Sequence, residues 1–140
     1  MNKPKCIISD LDGTLALLNG RDPYDASTCE NDLLNAPIAD ILKTYNNLLG
    51  GPEIIFLSGR EDKYREPTQN FLSKHGFLSH RLFMRPTDDF RKDSIIKKEI
   101  LERDILPKYD VLFVLDDRDQ VVDMWRDSGL TCLQVNYGNF

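Results

Sequence analysis

The chain has 140 residues, 41% of them hydrophobic and 29% charged, with a net charge of −5. These values describe one ordinary globular domain, spanning 1–140, with a single core. The charge argues against a module held to nucleic acid by a broad basic surface, though not against an enzyme that touches one nucleotide at a chain end. No apolar run approaches the ~20 residues of a membrane span, and Met1-Asn2-Lys3-Pro4-Lys5 lacks the apolar region of a secretory signal. A cytoplasmic protein without a membrane partner is expected. Cys6, Cys29 and Cys132 show no CxxC spacing and are expected to be reduced.

Lys5 to Asp10 reads as the first strand, with a continuous apolar run of the kind covered on both faces. Residues 15–35 have no sustained period and carry the turn signals Asn19-Gly20 and Asp22-Pro23, so a flap or small hairpin is expected. Asn35-Ala36-Pro37 starts a helix, with Asn as N-cap, running to about Leu49. Its apolar stripe is Ile38, Ile41, Leu42, Tyr45 and Leu49. Glu53 to Leu57 is the second strand and runs into Ser58-Gly59-Arg60; a helix follows over Pro67 to His75, and a short third strand over Arg81 to Met84. Asp88 or Asp89 caps a helix from Arg91 to Leu106 that Pro107 stops. Val111 to Leu115 is the fourth strand and ends in Asp116-Asp117; Gln120 to Asp127 is a helix, and Thr131 to Val135 the fifth strand.

Strands alternating with helices predict an α/β three-layer sandwich: a central parallel five-stranded, Rossmann-like sheet with helices on both faces. The inserts are too short for a large cap domain. Ligands bind such sheets beyond the C-terminal strand ends, where the strand order reverses. Asp10 and Asp12, Ser58 and Arg60, and Asp116 and Asp117 all follow strand ends. Four carboxylates converging there would repel one another. Mg²⁺ would relieve this, with side-chain oxygens from Asp10 and one or both of Asp116 and Asp117, and a backbone carbonyl near Asp12. Ser58 and the following backbone N–H groups, Gly59 included, can bind a phosphate oxygen, or simply make a turn. Spacing does not distinguish Lys92, Lys97 and Lys98. Arg21 and Arg60 can grip a phosphate with their planar forks, or form ion pairs.

Asp10-Leu11-Asp12-Gly13-Thr14 matches the DxDGT motif of the haloacid dehalogenase superfamily of phosphohydrolases, and Ser58, a late helix Lys and Asp116-Asp117 complete its motif series in order. The chain more specifically resembles the 3′-phosphatase domain of bacteriophage-type polynucleotide kinase/phosphatase. The similar segments are Lys3-Pro4-Lys5, Asn19 to Asp25, Ser58 to Glu61, Arg91-Lys92-Asp93, Lys97 to Ile100 and Asp116 to Arg126. Glu61 to His80 departs from that family, and no GxxxxGK[ST] kinase loop occurs in these residues.

The resemblance implies a Mg²⁺-dependent hydrolase acting on the 3′ ends of RNA or DNA in nucleic-acid repair. It singles out Lys97 as the motif lysine. Asp10 would attack phosphorus and form an aspartyl-phosphate, and Asp12 would act as general acid and then general base. That role needs a raised pKa, as beside another carboxylate. Ser58 and Lys97 would bind the non-bridging oxygens. Thr14, Gly59, Arg21 and Arg60 are placed on the substrate side, and Asp10, Asp12, Asp116 and Asp117 on the metal. Separate kinase or ligase partners and a monomer or small homo-oligomer are expected. The competing readings are a small-molecule phosphatase of the same superfamily, acting on nucleoside monophosphates, and a non-catalytic binding module.

Overall fold

The computed structural model describes residues 2–77 and 79–140. In chain order the elements are β1 (Lys5–Ser9), β2 (Ala16–Leu17), β3 (Leu33–Leu34), α1 (Ala36–Asn46), β4 (Glu53–Glu61), α2 (Arg65–Lys74), β5 (Arg81–Arg85), α3 (Asp93–Ile100), β6 (Asp110–Asp116), α4 (Asp119–Asp127) and β7 (Cys132–Gln134). Five strands form one sheet in the order β5-β4-β1-β6-β7, and every neighbouring pair is parallel. β2 and β3 pair separately as an antiparallel hairpin. This is the expected α/β sandwich, with the hairpin inside the expected 15–35 insert.

The continuous apolar run of β1 is explained by its position at the centre. Cys6 and Ile8 pack with Ile96 and Ile100 of α3 and with Val121, Val122 and Trp125 of α4. Ile7, on the other face, packs with Ile38 and Leu42 of α1 and with Phe71 and Leu72 of α2. Ile7 and Ile8 are fully buried, each contributing about 1.5–3 kcal/mol by removal from water. Among the described residues, no helix is long and apolar enough to cross a membrane.

Several boundaries differ from the sequence expectation. α1 stops at Asn46 rather than Leu49; the chain turns through Gly50 at φ +68, and Leu49 is fully exposed. Ile41 and Tyr45 are also only partly covered, so the buried stripe is Ile38, Ala39 and Leu42. Asn35 occupies the N-cap without a capping bond. Its side chain donates instead to the Thr14 carbonyl at 2.8 Å, and its N–H to the Leu15 carbonyl at 2.8 Å, tying the start of α1 to the end of the Asp-rich turn. Neither Asp88 nor Asp89 caps α3. Asp88 has left-handed backbone (φ 64), Asp89 binds Arg91, and the helix begins after Lys92. After Ile100 the helix widens into a π-turn over Leu101–Ile105, where the Leu106 N–H reaches the Leu101 carbonyl at 2.9 Å.

β4 extends beyond Leu57, and its register against β5 shifts between Ser58 and Glu61. Such an irregularity re-aims the side chains it carries. β1 lies between β4 and β6, so the chain enters the sheet centre and leaves it in two directions. The crevice of an open parallel sheet forms beyond the carboxyl ends at such a point.

Candidate active site

Asp10 leaves β1 at that crevice, and its N–H is fixed by the Leu115 carbonyl of β6 at 3.0 Å. Its carboxylate is buried. Lys97 Nζ donates to Asp10 Oδ1 at 2.9 Å, and the Thr14 hydroxyl to Oδ2 at 3.2 Å. Lys97 also donates to Asp116 Oδ2 at 3.1 Å, and lies 3.8 Å from Asp93 Oδ2 one helical turn earlier. Asp116 is further oriented by Trp125 Nε1 at 3.1 Å and by the N–H groups of Asp117 and Arg118 at 2.8 and 3.3 Å. Spacing alone left three lysines open; α3 carries Lys97 inward, while Lys92 and Lys98 stay exposed.

Asp10, Asp116 and Asp117 each offer a carboxylate oxygen, all within 4.8 Å of one another. Burial and the neighbouring Asp116 push the Asp10 carboxyl well above its usual range, against the pull of Lys97. Burial likewise raises Asp117. Burial alone would lower Lys97, but Asp10, Asp116 and Asp93 outweigh it and keep the ammonium charged. One ammonium thus serves a surplus of buried carboxylate, a donor set of hard oxygens that suits a divalent cation. Gly13 completes the turn at φ +80, and a Cβ there would lie 2.1 Å from Asp117 Oδ2. The glycine is therefore required by both its backbone and the carboxylate opposite.

Asp12 has a different environment from the one its spacing suggested. Its side chain turns away from the carboxylate cluster and is held by Arg60 Nε at 2.9 Å, Arg60 Nη2 at 2.7 Å and Arg21 Nη2 at 2.9 Å. Burial pushes its carboxyl up, but the two guanidiniums prevail and hold it below the ordinary carboxylate range. This corrects the expectation of a raised pKa, and no side-chain oxygen of Asp12 joins the Asp10 cluster. Both arginines also bind Asp32, Arg21 at 2.8 and 2.9 Å and Arg60 at 3.1 Å. Arg21 donates its remaining nitrogen to the carbonyls of Asp22 and Asp25, and Arg60 to Thr68 Oγ1. The forks read from sequence as phosphate grips are filled by protein oxygens.

Ser58 is buried and accepts the Arg60 N–H at 3.1 Å. At Gly59 a Cβ would lie 2.2 Å from Asp93 Oδ1, so the chain approaches Asp93 closely. Asp93 gathers Lys97, Arg85 at 3.3 Å and Arg118 at 3.7 Å. Asp93 and Asp32 are the site residues that sequence reasoning missed. The i, i+4 relation to Lys97 was available as a signal for Asp93, whereas nothing local marked Asp32.

An open cleft of about 1030 Å³ lies over these groups, and Asp10, Asp12, Gly59, Arg60, Asp116 and Asp117 line it. Thr14, Arg21, Ser58 and Lys97 stand behind that lining. The largely exposed rings of Tyr24, Phe90 and Phe140 border it.

Residues 4–140 match the family described as the polynucleotide kinase PNKP phosphatase domain. A protein of Autographa californica nuclear polyhedrosis virus, named as a bifunctional polynucleotide kinase/RNA ligase, is 37% identical over 126 residues, which are 89% of this chain and 18% of that protein. In a structure of the Pnkp1/Rnl/Hen1 RNA repair complex, one chain aligns at TM-score 0.94 and 57% identity over 99% of this chain and 44% of its own length. A second structure of that complex gives the same similarity over 48% of its chain. The class C acid phosphatase of Bacillus anthracis, solved with tungstate bound, shares the fold at TM-score 0.62 and 18% identity, over 99% of this chain and 68% of that one. The chain therefore spans less than half the length of the RNA-repair chains and under a fifth of the viral protein.

Proposed function

The chain belongs to the polynucleotide kinase PNKP phosphatase-domain family, and from that premise we propose that it removes the 3′-phosphate from polynucleotide ends as a Mg²⁺-dependent phosphomonoesterase. The observation that carries this reading is Asp10, buried against Lys97 beside Asp116 and Asp117, at the floor of an open cleft. Among the described residues no domain closes the cleft, and an open cleft suits a substrate as large as a nucleic-acid end.

Asp10 is the nucleophile. Its carboxylate oxygen attacks phosphorus in line, the bond to the 3′-oxygen breaks, and an aspartyl-phosphate forms. Lys97, already in place by its bonds to Asp10 and Asp116, meets the non-bridging oxygens as their charge redistributes. Ser58 and the N–H groups beyond it support the same oxygens. Asp12 gives a proton to the leaving 3′-oxygen and then takes one from the water that hydrolyses the aspartyl-phosphate, which releases inorganic phosphate and restores Asp10. The guanidiniums keep Asp12 ionised before substrate arrives. An entering phosphate adds negative charge beside it and competes for Arg60 and Arg21, which raises the Asp12 pKa so that Asp12 takes up a proton from solvent before the first step. Held by Asp10, Asp116, Asp117 and the Asp12 carbonyl, Mg²⁺ would supply positive charge against the phosphate oxygens.

Kinase or ligase modules acting beside this phosphatase, and a cytoplasmic place of work, belong to the same proposal. Phosphate release from a 3′-phosphorylated oligonucleotide and from free 5′-nucleotides, each with and without Mg²⁺, tests it. Metal-dependent release from the oligonucleotide is expected to be much the faster. Equal or faster release from the 5′-nucleotides would identify a small-molecule nucleotidase instead, and no turnover of either a binding module.

A further inference from the structure

Phe90 lies in the loop between β5 and α3, lines the cleft that holds Asp10 and Asp117, and is 80% exposed. An exposed phenylalanine alone is ordinary. The loop that carries this one is not. Asp88 is held at φ 64, a region that costs a side-chain-bearing residue, and its N–H is fixed by Glu61 Oε2 at 3.0 Å. Arg85 donates to the carbonyls of both Asp89, at 2.9 Å, and Arg91. Arg91 in turn clamps Asp89 at 3.0 and 2.8 Å and Glu99 at 2.8 Å. The backbone on either side of Phe90 is thus held by side chains from β4 and β5, and Glu99 of α3 holds the Arg91 guanidinium, while the ring between them is left in water. The adjoining Lys92 is exposed as well.

We propose that Phe90 is a stacking platform for a base near the 3′ end of a polynucleotide held in this cleft, with Lys92 meeting an adjacent backbone phosphate. The assignment rests on the 3′-phosphatase reading above. A fixed aromatic face with a cation beside it is the arrangement that holds single strands without reading sequence, because every base has a π-face. That property suits an enzyme that must accept any terminal sequence. The chain's net charge of −5 makes such a local device more important, since overall charge does not draw the strand in.

The experiment measures kcat and KM for a 3′-phosphorylated oligonucleotide, the same oligonucleotide with abasic sites at its last two positions, and p-nitrophenyl phosphate, with wild type, Phe90→Ala and Phe90→Trp. Phe90→Ala is expected to raise the oligonucleotide KM by about 5- to 100-fold, leaving kcat, p-nitrophenyl phosphate turnover and the melting temperature unchanged. Phe90→Trp restores the KM. The abasic substrate penalises wild type and not Phe90→Ala. An oligonucleotide KM unaffected by Phe90→Ala overturns the proposal, as does an equal loss on p-nitrophenyl phosphate, which would mark a structural role. The wild-type arm separates the two readings: turnover of p-nitrophenyl phosphate without turnover of the oligonucleotide rejects the 3′-phosphatase reading itself, and this inference with it.

Discussion

Asp10 and Asp12 sit two positions apart in one turn, yet they belong to two different charge clusters. Around Asp10, three carboxylates cluster beside one ammonium, Lys97, which bonds Asp10 and Asp116 but not Asp117. Around Asp12, two carboxylates meet two guanidiniums, and nearly every donor is spent on protein oxygens. The first cluster is short of positive charge and open to a cation. The second is balanced and needs none. The first is built from the ends of β1 and β6 and from α3, whereas the second ties the β2–β3 insert to the end of β4. Like side chains therefore stand in opposite charge balance: one group waits for charge to arrive, and the other is already neutralised by the guanidiniums that tie the insert to β4.

The comparison can be broken most severely at Asp10. Asp10→Asn is expected to cut metal-dependent phosphate release by on the order of 10³-fold or more while circular dichroism stays unchanged; activity near wild type would sink covalent catalysis by this residue. Lys97→Met leaves the clustered carboxylates without their ammonium and should lower unfolding free energy in urea by about 3–5 kcal/mol. Mg²⁺ should recover part of that loss, because it supplies the charge that is missing. Arg60→Ala strips a partner from both Asp12 and Asp32, with an expected cost of about 2 kcal/mol. Here Mg²⁺ should give no selective rescue, and an equal rescue of both variants would erase the distinction between the clusters. The smallest effect sharpens it: Mg²⁺ at ten times its Kd should raise the wild-type melting temperature by about 5 degrees, as about 1.4 kcal/mol of binding linkage implies. Asp116→Asn and Asp117→Asn should each reduce that shift, and Asp32→Asn should leave it intact.

The sheet was legible because burial on both faces writes itself as an unbroken apolar run, as in Cys6-Ile7-Ile8. The Asp10–Asp116–Asp117 cluster was legible for a related reason, since strand ends in a parallel sheet point to one edge. The Asp12 cluster was not. Asp32 sits beside a strand two residues long, too short to leave a period, and its arginine partners are separated from it in sequence. Local chemistry also misled at helix ends. Asp88 and Asp89 have the side chains of caps, but one is in left-handed backbone and the other is taken by Arg91. Apolar periodicity carried α1 to Leu49, where nothing is left to pack against.

The wide turn at Leu101–Ile105 has a consequence for helical phase. In an α-helix every fourth residue drifts by about 40° around the axis, so a line through Lys97, Leu101 and Ile105 would wind off the core. All three are buried, and the π-turn removes part of that drift. The wide turn therefore keeps the Lys97 ammonium and the core contacts of the following segment in step. Deleting one residue within Leu101–Ile105 would restore regular helix and force a choice between them, so that a length change beside the hydrophobic core would be read out at Asp10.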